Sequence, residues 1–144
     1  MKIKPKLETD RDIEIKNKAK IFIANAFDMD IQDLYEPLYI VDWWADNEIF
    51  IEFKARNYNR FKFPTLLLSL HKWMALHHYT QNGFAAWLCV QWQDGLYYIV
   101  INNLSKIGCE YKFAGRTDRN IEGDVEPCVF IPVTKFIRLG ESPK

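Results

Sequence analysis

The chain has 144 residues, with 19 basic and 19 acidic side chains, 49% hydrophobic residues and 15% aromatics. This length suits a single domain over 1–144, and the composition excludes a disordered chain. No apolar run approaches the ~18 residues of a membrane helix, and the start Met-Lys-Ile-Lys-Pro-Lys lacks a signal peptide's apolar stretch. Three scattered cysteines, Cys89, Cys109 and Cys128, disfavour a disulfide framework or a structural zinc site. The expectation is a cytoplasmic chain with no membrane partner.

In chain order, Ile15, Ala19, Phe22, Ile23 and Ala26 recur at helical spacing, so residues 12–27 read as a helix entered near Thr9 to Asp12. A short strand within 28–36 would end before Pro37. Leu38 to Ala45 and Ile49 to Ala55 read as strands, joined into a hairpin by Asp46-Asn47-Glu48. Pro64-Thr65 is expected to open a helix over about 66–81, with Leu67, Leu70 and Met74 on one face and Asn82-Gly83 as its stop. Phe84 to Trp92 is nearly all apolar, as in a strand covered on both faces. Asp94-Gly95 turns the chain into a strand from Leu96 to Asn102. Strands near 110–113 and 128–133 flank a polar loop at 115–126. The result is an α/β domain with a mixed central sheet flanked by helices, because a helix joining two strands usually makes them parallel.

The zero net charge hides blocks of opposite sign. Residues 21–53 hold eight acids and no Lys or Arg; residues 54–93 hold no acid, five Lys/Arg and all three histidines. The sign switches within Glu52-Phe53-Lys54. Adjacent elements that simply pair their charges explain this as well as a carboxylate cluster beside a basic surface does.

Glu-x-Lys occurs at Glu14/Lys16, Glu52/Lys54 and Glu110/Lys112, so context must discriminate. Glu52 and Lys54 lie on a strand and share a face. With a three-residue hairpin loop, opposed residues sum to 94, which puts Asp42 opposite Glu52 and on that face. A two-residue loop would turn Asp42 away. Two facing carboxylates repel, so neutralising Asp42 should leave stability unchanged or raise it. A divalent cation would remove the repulsion, and Mg²⁺ suits one or two carboxylates with waters and phosphate oxygens. A surface hairpin with ordinary cross-strand charge pairing remains the alternative.

Asp42, then ten residues on Glu52-Phe53-Lys54 in the second strand of a hairpin, then a helix and an apolar strand, resembles the PD-(D/E)xK nuclease superfamily. This is the restriction-endonuclease-like and Holliday-junction-resolvase-like group. The stretches Val41-Asp42-Trp43-Trp44, Ile51-Glu52-Phe53-Lys54-Ala55-Arg56-Asn57-Tyr58, Phe63 to Trp73 and Gly115-Arg116-Thr117-Asp118-Arg119 are similar to phage-encoded members. Val41 departs from the proline common before the aspartate.

The resemblance implies an α-β-β-β-α-β core with C-terminal strands added, and a nuclease acting on DNA, with branched and recombination or repair DNA in the group's range. It implies that Asp42, Glu52 and the Phe53 carbonyl ligate Mg²⁺ or Mn²⁺, and that Lys54 is the catalytic lysine. An acid of the first helix would join them: Glu14, or failing that Glu8. Lys72 would touch the substrate, and Arg56, Arg60 and Lys62 would hold phosphates. The resemblance allows a homodimer, and a bacterial or phage-infected cell as the setting. A non-catalytic DNA-binding or assembly protein on the same fold is the second reading, and a purely structural charge switch the third. No Gly-rich phosphate loop, G-x-S-x-G or Cys–His arrangement supports NTPase or acyl-transfer chemistry.

Overall fold

A computed structural model describes residues 9–35, 40–115 and 125–140. Glu8, the start of the strand expected from Leu38 and most of the loop 115–126 lie outside them.

Helix α1 (Asp10–Phe27) begins with a reciprocal cap. The Thr9 hydroxyl accepts from the Asp12 N–H, and the Asp12 carboxylate accepts from the Thr9 N–H. Strands β1 (Ile31–Asp33), β2 (Trp43–Ala45) and β3 (Ile49–Ala55) follow as an antiparallel meander. Asp46 and Asn47 take φ of 50° and 57°, a region that Asp and Asn tolerate better than most residues, and Glu48 N–H closes on the Ala45 carbonyl. This three-residue turn fixes Trp43 opposite Ile51 and Ala45 opposite Ile49, the register in which paired numbers sum to 94.

Pro64-Thr65 does not open a helix. Thr65–Ser69 is strand β4, with Leu66 and Leu68 buried and Leu67 turned outward, and it pairs with a strand some sixty residues later. Helix α2 (Leu70–Gln81) starts only at Ser69, whose hydroxyl accepts from Lys72 N–H. Its buried face is Trp73, Leu76 and His77, whereas Met74 is exposed. Strand β5 (Ala85–Trp92) returns parallel to β3, and β6 (Gly95–Val100) turns back antiparallel. Strands β7 (Glu110–Gly115) and β8 (Val125–Pro132) form a hairpin, and β9 (Ile137–Gly140), which the sequence pattern did not reveal, pairs with β6.

The large sheet runs β1-β2-β3-β5-β6-β9, and β4-β8-β7 make a second, smaller one. The large sheet divides the core. Ile51, Phe53 and Cys89 pack with Ala19 and Ile23 of α1 on one side. Phe50, Leu88, Val90 and Trp92 pack with Trp73 and Leu76 of α2 and with Leu66, Leu68 and Ile131 of the small sheet on the other. The alternation of β3 therefore sends Glu52 and Lys54 to the α2 side. No helix among the described residues is long and apolar enough to cross a membrane.

His77 sits edge-on to Trp73 at 4.5 Å, with its Nε2 buried and unpartnered. Burial first, then the nearby Lys106 charge, pushes its pKa down to about 4 from 6.5. Between those values the unfolded chain takes up a proton that the folded ring refuses, so stability is lost as pH falls through this window. His77→Phe keeps the ring packing and removes the proton. Urea unfolding of both proteins from pH 7 to 4 should show a shallower loss in the variant; parallel curves would mean that the ring charges freely in the fold.

Candidate active site

At the end of β3 a pocket is lined by Asp42, Glu52, Phe53, Lys54, Ala55 and Arg56, with Lys72 from α2 and Asp12 and Lys16 from α1. Asp42 leaves the ladder just before β2. Its N–H donates to the Ile51 carbonyl (3.1 Å) rather than pairing with Glu52, and its carbonyl accepts from Leu34 N–H (2.9 Å). Asp42 Oδ2 accepts from Phe53 N–H at 2.8 Å, while Oδ1 pairs with the Lys16 ammonium.

The Glu52 side chain has no solvent exposure. Its Oε2 takes both Lys72 Nζ at 2.8 Å and Lys54 Nζ at 3.1 Å, whereas Oε1 is buried with no hydrogen-bond partner. The two carboxylates shift in opposite directions. Burial raises the Glu52 pKa, and the Asp42 charge adds to that against the pull of Lys54 and Lys72. Burial also pushes on Asp42, but Lys16, Lys72 and the Phe53 N–H outweigh it and its pKa falls. Burial lowers the Lys54 pKa, opposed by Glu52.

The first helix supplies a lysine where an acid was expected. Residues two apart on a helix point away from each other, so Glu14 faces solvent and pairs with Lys18 at 3.0 Å. Asp12 reaches the pocket rim but is committed to the Thr9 cap. Lys16 stands one turn before Ala19 in the buried stripe that continues to Ile23, and that alignment is the signal by which it could have been found. Arg60, expected to hold phosphates, lies outside the pocket lining. Its guanidinium carbon lies 4.1 Å from the Phe61 ring centre and 4.4 Å from that of Tyr97. Lys62 lies over Tyr58 and Phe63, likewise away from the pocket lining.

Among the described residues no group of three or more His, Cys, Asp or Glu assembles around a common point. Two carboxylates with one orphaned, buried oxygen nevertheless fit a hard divalent ion that draws its remaining ligands from water and phosphate.

The match to a family model spans residues 2–139, and the family is described as "Phage putative PDDEXK endonuclease". The chain belongs to that family. No curated protein matches the sequence. Among solved structures, the Holliday junction resolvase Hjc of the archaeal hyperthermophile Archaeoglobus fulgidus is similar over 61% of this chain and 75% of that one, with 15% identity and a TM-score of 0.49.

The Lys16 contact reverses the stability expectation drawn from facing carboxylates. A lowered pKa means that ionised Asp42 stabilises the fold above its unfolded value of 3.8, and that this is lost as pH falls below it. With chelator at pH 7, Asp42→Asn should therefore destabilise by roughly 1.5–3 kcal/mol, the scale of a charge-assisted hydrogen bond. Glu52→Gln should be neutral or stabilising, because a pKa raised by burial means that the fold disfavours the ionised form. Chemical denaturation of the three proteins checks the order, and a stabilised Asp42→Asn would mean that repulsion dominates after all.

Proposed function

We propose that this protein is a divalent-metal-dependent nuclease that hydrolyses phosphodiester bonds in DNA. The observation that carries the reading is Glu52: a fully buried carboxylate whose Oε2 is held by two lysines while Oε1 has no partner. A carboxylate kept in that state at a pocket wall is costly to the fold and useful to a cation.

In this reading Asp42, Glu52 through Oε1 and the Phe53 carbonyl would hold Mg²⁺ or Mn²⁺. Such an ion supplies a polarised phosphate oxygen and a more acidic water. Lys72 fixes the rotamer of Glu52 by its 2.8 Å bond to Oε2. Lys54, partly desolvated and still 25% exposed, can present its ammonium to charge that builds on the phosphoryl oxygens as the water oxygen, losing a proton, bonds to phosphorus. The bond to the leaving sugar oxygen, which takes up a proton, breaks. Arg56 at the rim would take a neighbouring phosphate and fix the register of the strand, which positions without adding sequence selectivity. The cytoplasm of a phage-infected cell is where such an activity would meet its DNA.

Lys54→Ala separates chemistry from binding. Cleavage should fall roughly 10²-fold or more, about 2.7 kcal/mol, with a much smaller change in DNA affinity. Comparable losses in both would make Lys54 a phosphate clamp. Metal binding has its own readout: free Mn²⁺ at one hundred times its dissociation constant stabilises a protein by about 2.7 kcal/mol. Thermal unfolding should show that gain in the wild type and little of it in Asp42→Asn or Glu52→Gln. DNA bound without cleavage under Mg²⁺ or Mn²⁺ would favour the non-catalytic reading instead.

A further inference from the structure

The segment from Arg56 to Phe63 leaves the pocket and alternates aromatic with cationic side chains: Tyr58, Arg60, Phe61, Lys62, Phe63. Phe61 is 63% exposed and Phe63 48%. Exposed rings of this size normally mark a contact surface when they cluster with charges of one sign. Here they do. No Asp or Glu occurs between residues 54 and 93, and the next acid, Asp94, has its Oδ1 engaged by the Arg60 N–H at 2.8 Å.

The segment is also tethered. Arg56 N–H donates to the Gln91 carbonyl at 2.8 Å, and Gln93 N–H donates to the Tyr58 carbonyl at 3.1 Å. With the Asp94 bond, these tie it to the end of β5 and the turn that follows. The Arg60 guanidinium lies over Phe61 and Tyr97, and its Nη1 donates to the Val133 carbonyl at 3.4 Å. One face of the Phe61 ring thus rests on a cation that the fold holds in place, while most of the residue stays open to solvent. The Lys62 ammonium stands 5.4 Å from the Tyr58 ring centre and 5.6 Å from that of Phe63. A ring supported in this way gives up little freedom when something stacks on it.

From this arrangement we infer that Arg56–Phe63 is a stacking platform for unpaired nucleobases, so that the enzyme selects DNA with a single-stranded stretch beside the bond it cuts. The inference rests on the DNA-nuclease reading above. Every base has a flat π face, so an aromatic ring flanked by cations takes unpaired bases of any sequence. In a duplex those faces are stacked on one another, and only the phosphates remain for Arg56 and Lys62. Phe61 therefore discriminates between the two states of DNA, whereas the cations do not. Phe61 follows Lys54 by seven residues, so even a fully extended chain keeps it within about 25 Å of the pocket.

The test uses the full chain with chelator present, so that binding is read without cleavage. Fluorescence anisotropy compares a blunt duplex with the same duplex carrying a single-stranded overhang. Wild type should prefer the overhang. Phe61→Leu should cut the overhang-to-blunt affinity ratio roughly five- to hundredfold, the range of one base–aromatic stack, and Phe61→Trp should keep it. An unchanged ratio in Phe61→Leu, or an equal fall in Phe61→Trp, overturns the platform. Cleavage by the wild type with Mn²⁺, scored in parallel, separates the two readings. Cleavage with an unchanged ratio overturns the platform alone. A lost ratio without any wild-type cleavage supports the platform and overturns the nuclease. Wild type that binds neither DNA with chelator overturns the platform, and overturns the nuclease as well if Mn²⁺ brings no cleavage.

Discussion

A carboxylate without solvent exposure, on the strand at the middle of the molecule, sets the terms for everything around it. Burying Glu52 is tolerable only because two ammonium groups converge on its Oε2, one from its own strand and one from α2. Lys54 comes from the period-2 geometry of β3, two residues on and on the same face. Lys72 arrives differently. It sits in the first turn of α2, and the Ser69 cap that starts the helix there is itself the last residue of β4. The small sheet therefore does more than add apolar surface. By holding Leu66 and Leu68 against Ile131 and Val129, it fixes the point at which α2 begins, and with it the reach of Lys72.

Asp42 and Glu52 are nearly the same chemical group and titrate in opposite directions. The difference comes from which elements reach each of them. Asp42 stands at the sheet's irregular corner, where the Phe53 N–H and Lys16 of α1 satisfy its two oxygens separately. Glu52 has one oxygen doubly engaged and one with no partner. Two groups with unequal environments can hold different protonation preferences across the same few ångströms, the usual prerequisite for dividing labour in a site.

The hairpin and its register were legible because the signals there are local. Asp46-Asn47-Glu48 fixes the turn, the flanking apolar residues fix the faces, and one integer then decides which side chains meet. The start of α2 was not legible. Thr65-Leu66-Leu67-Leu68-Ser69 suits a helix or a strand, and its partner β8 lies some sixty residues away, so tertiary pairing decided what propensity left open. The same blindness put Met74 on one face with Leu67 and Leu70, since counting Leu67 into the helix drew the apolar stripe away from Trp73 and Leu76. Lys16 was overlooked for a different reason: in a helix scanned for acids, a lysine aligned with Ala19 and Ile23 reads as a charge at the margin. The contacts of Arg60 were not legible, because nothing local in the sequence says that Tyr97 and Val133 wait for its guanidinium.

The blocks of charge along the chain resolve into something narrower than either reading of them. Most of the acidic block does not face the pocket. Asp33 pairs with Lys20 on α1, and Asp46 accepts the Asp30 N–H beside the hairpin turn. Among the described residues of that block, Asp42 and Glu52 are the ones that line the pocket, and they pair with Lys16, Lys54 and Lys72. Among the described residues that line the pocket, four cationic groups (Lys16, Lys54, Arg56 and Lys72) stand against three carboxylates (Asp12, Asp42 and Glu52), one positive charge in excess when all are ionised. That balance favours a phosphodiester anion and opposes a cation arriving alone. In the nuclease reading each would improve the terms for the other, because the anion offsets the lysines while the ion takes up Oε1. By reciprocity, the metal affinity of the site should then rise with DNA bound by the same factor as DNA affinity rises with metal.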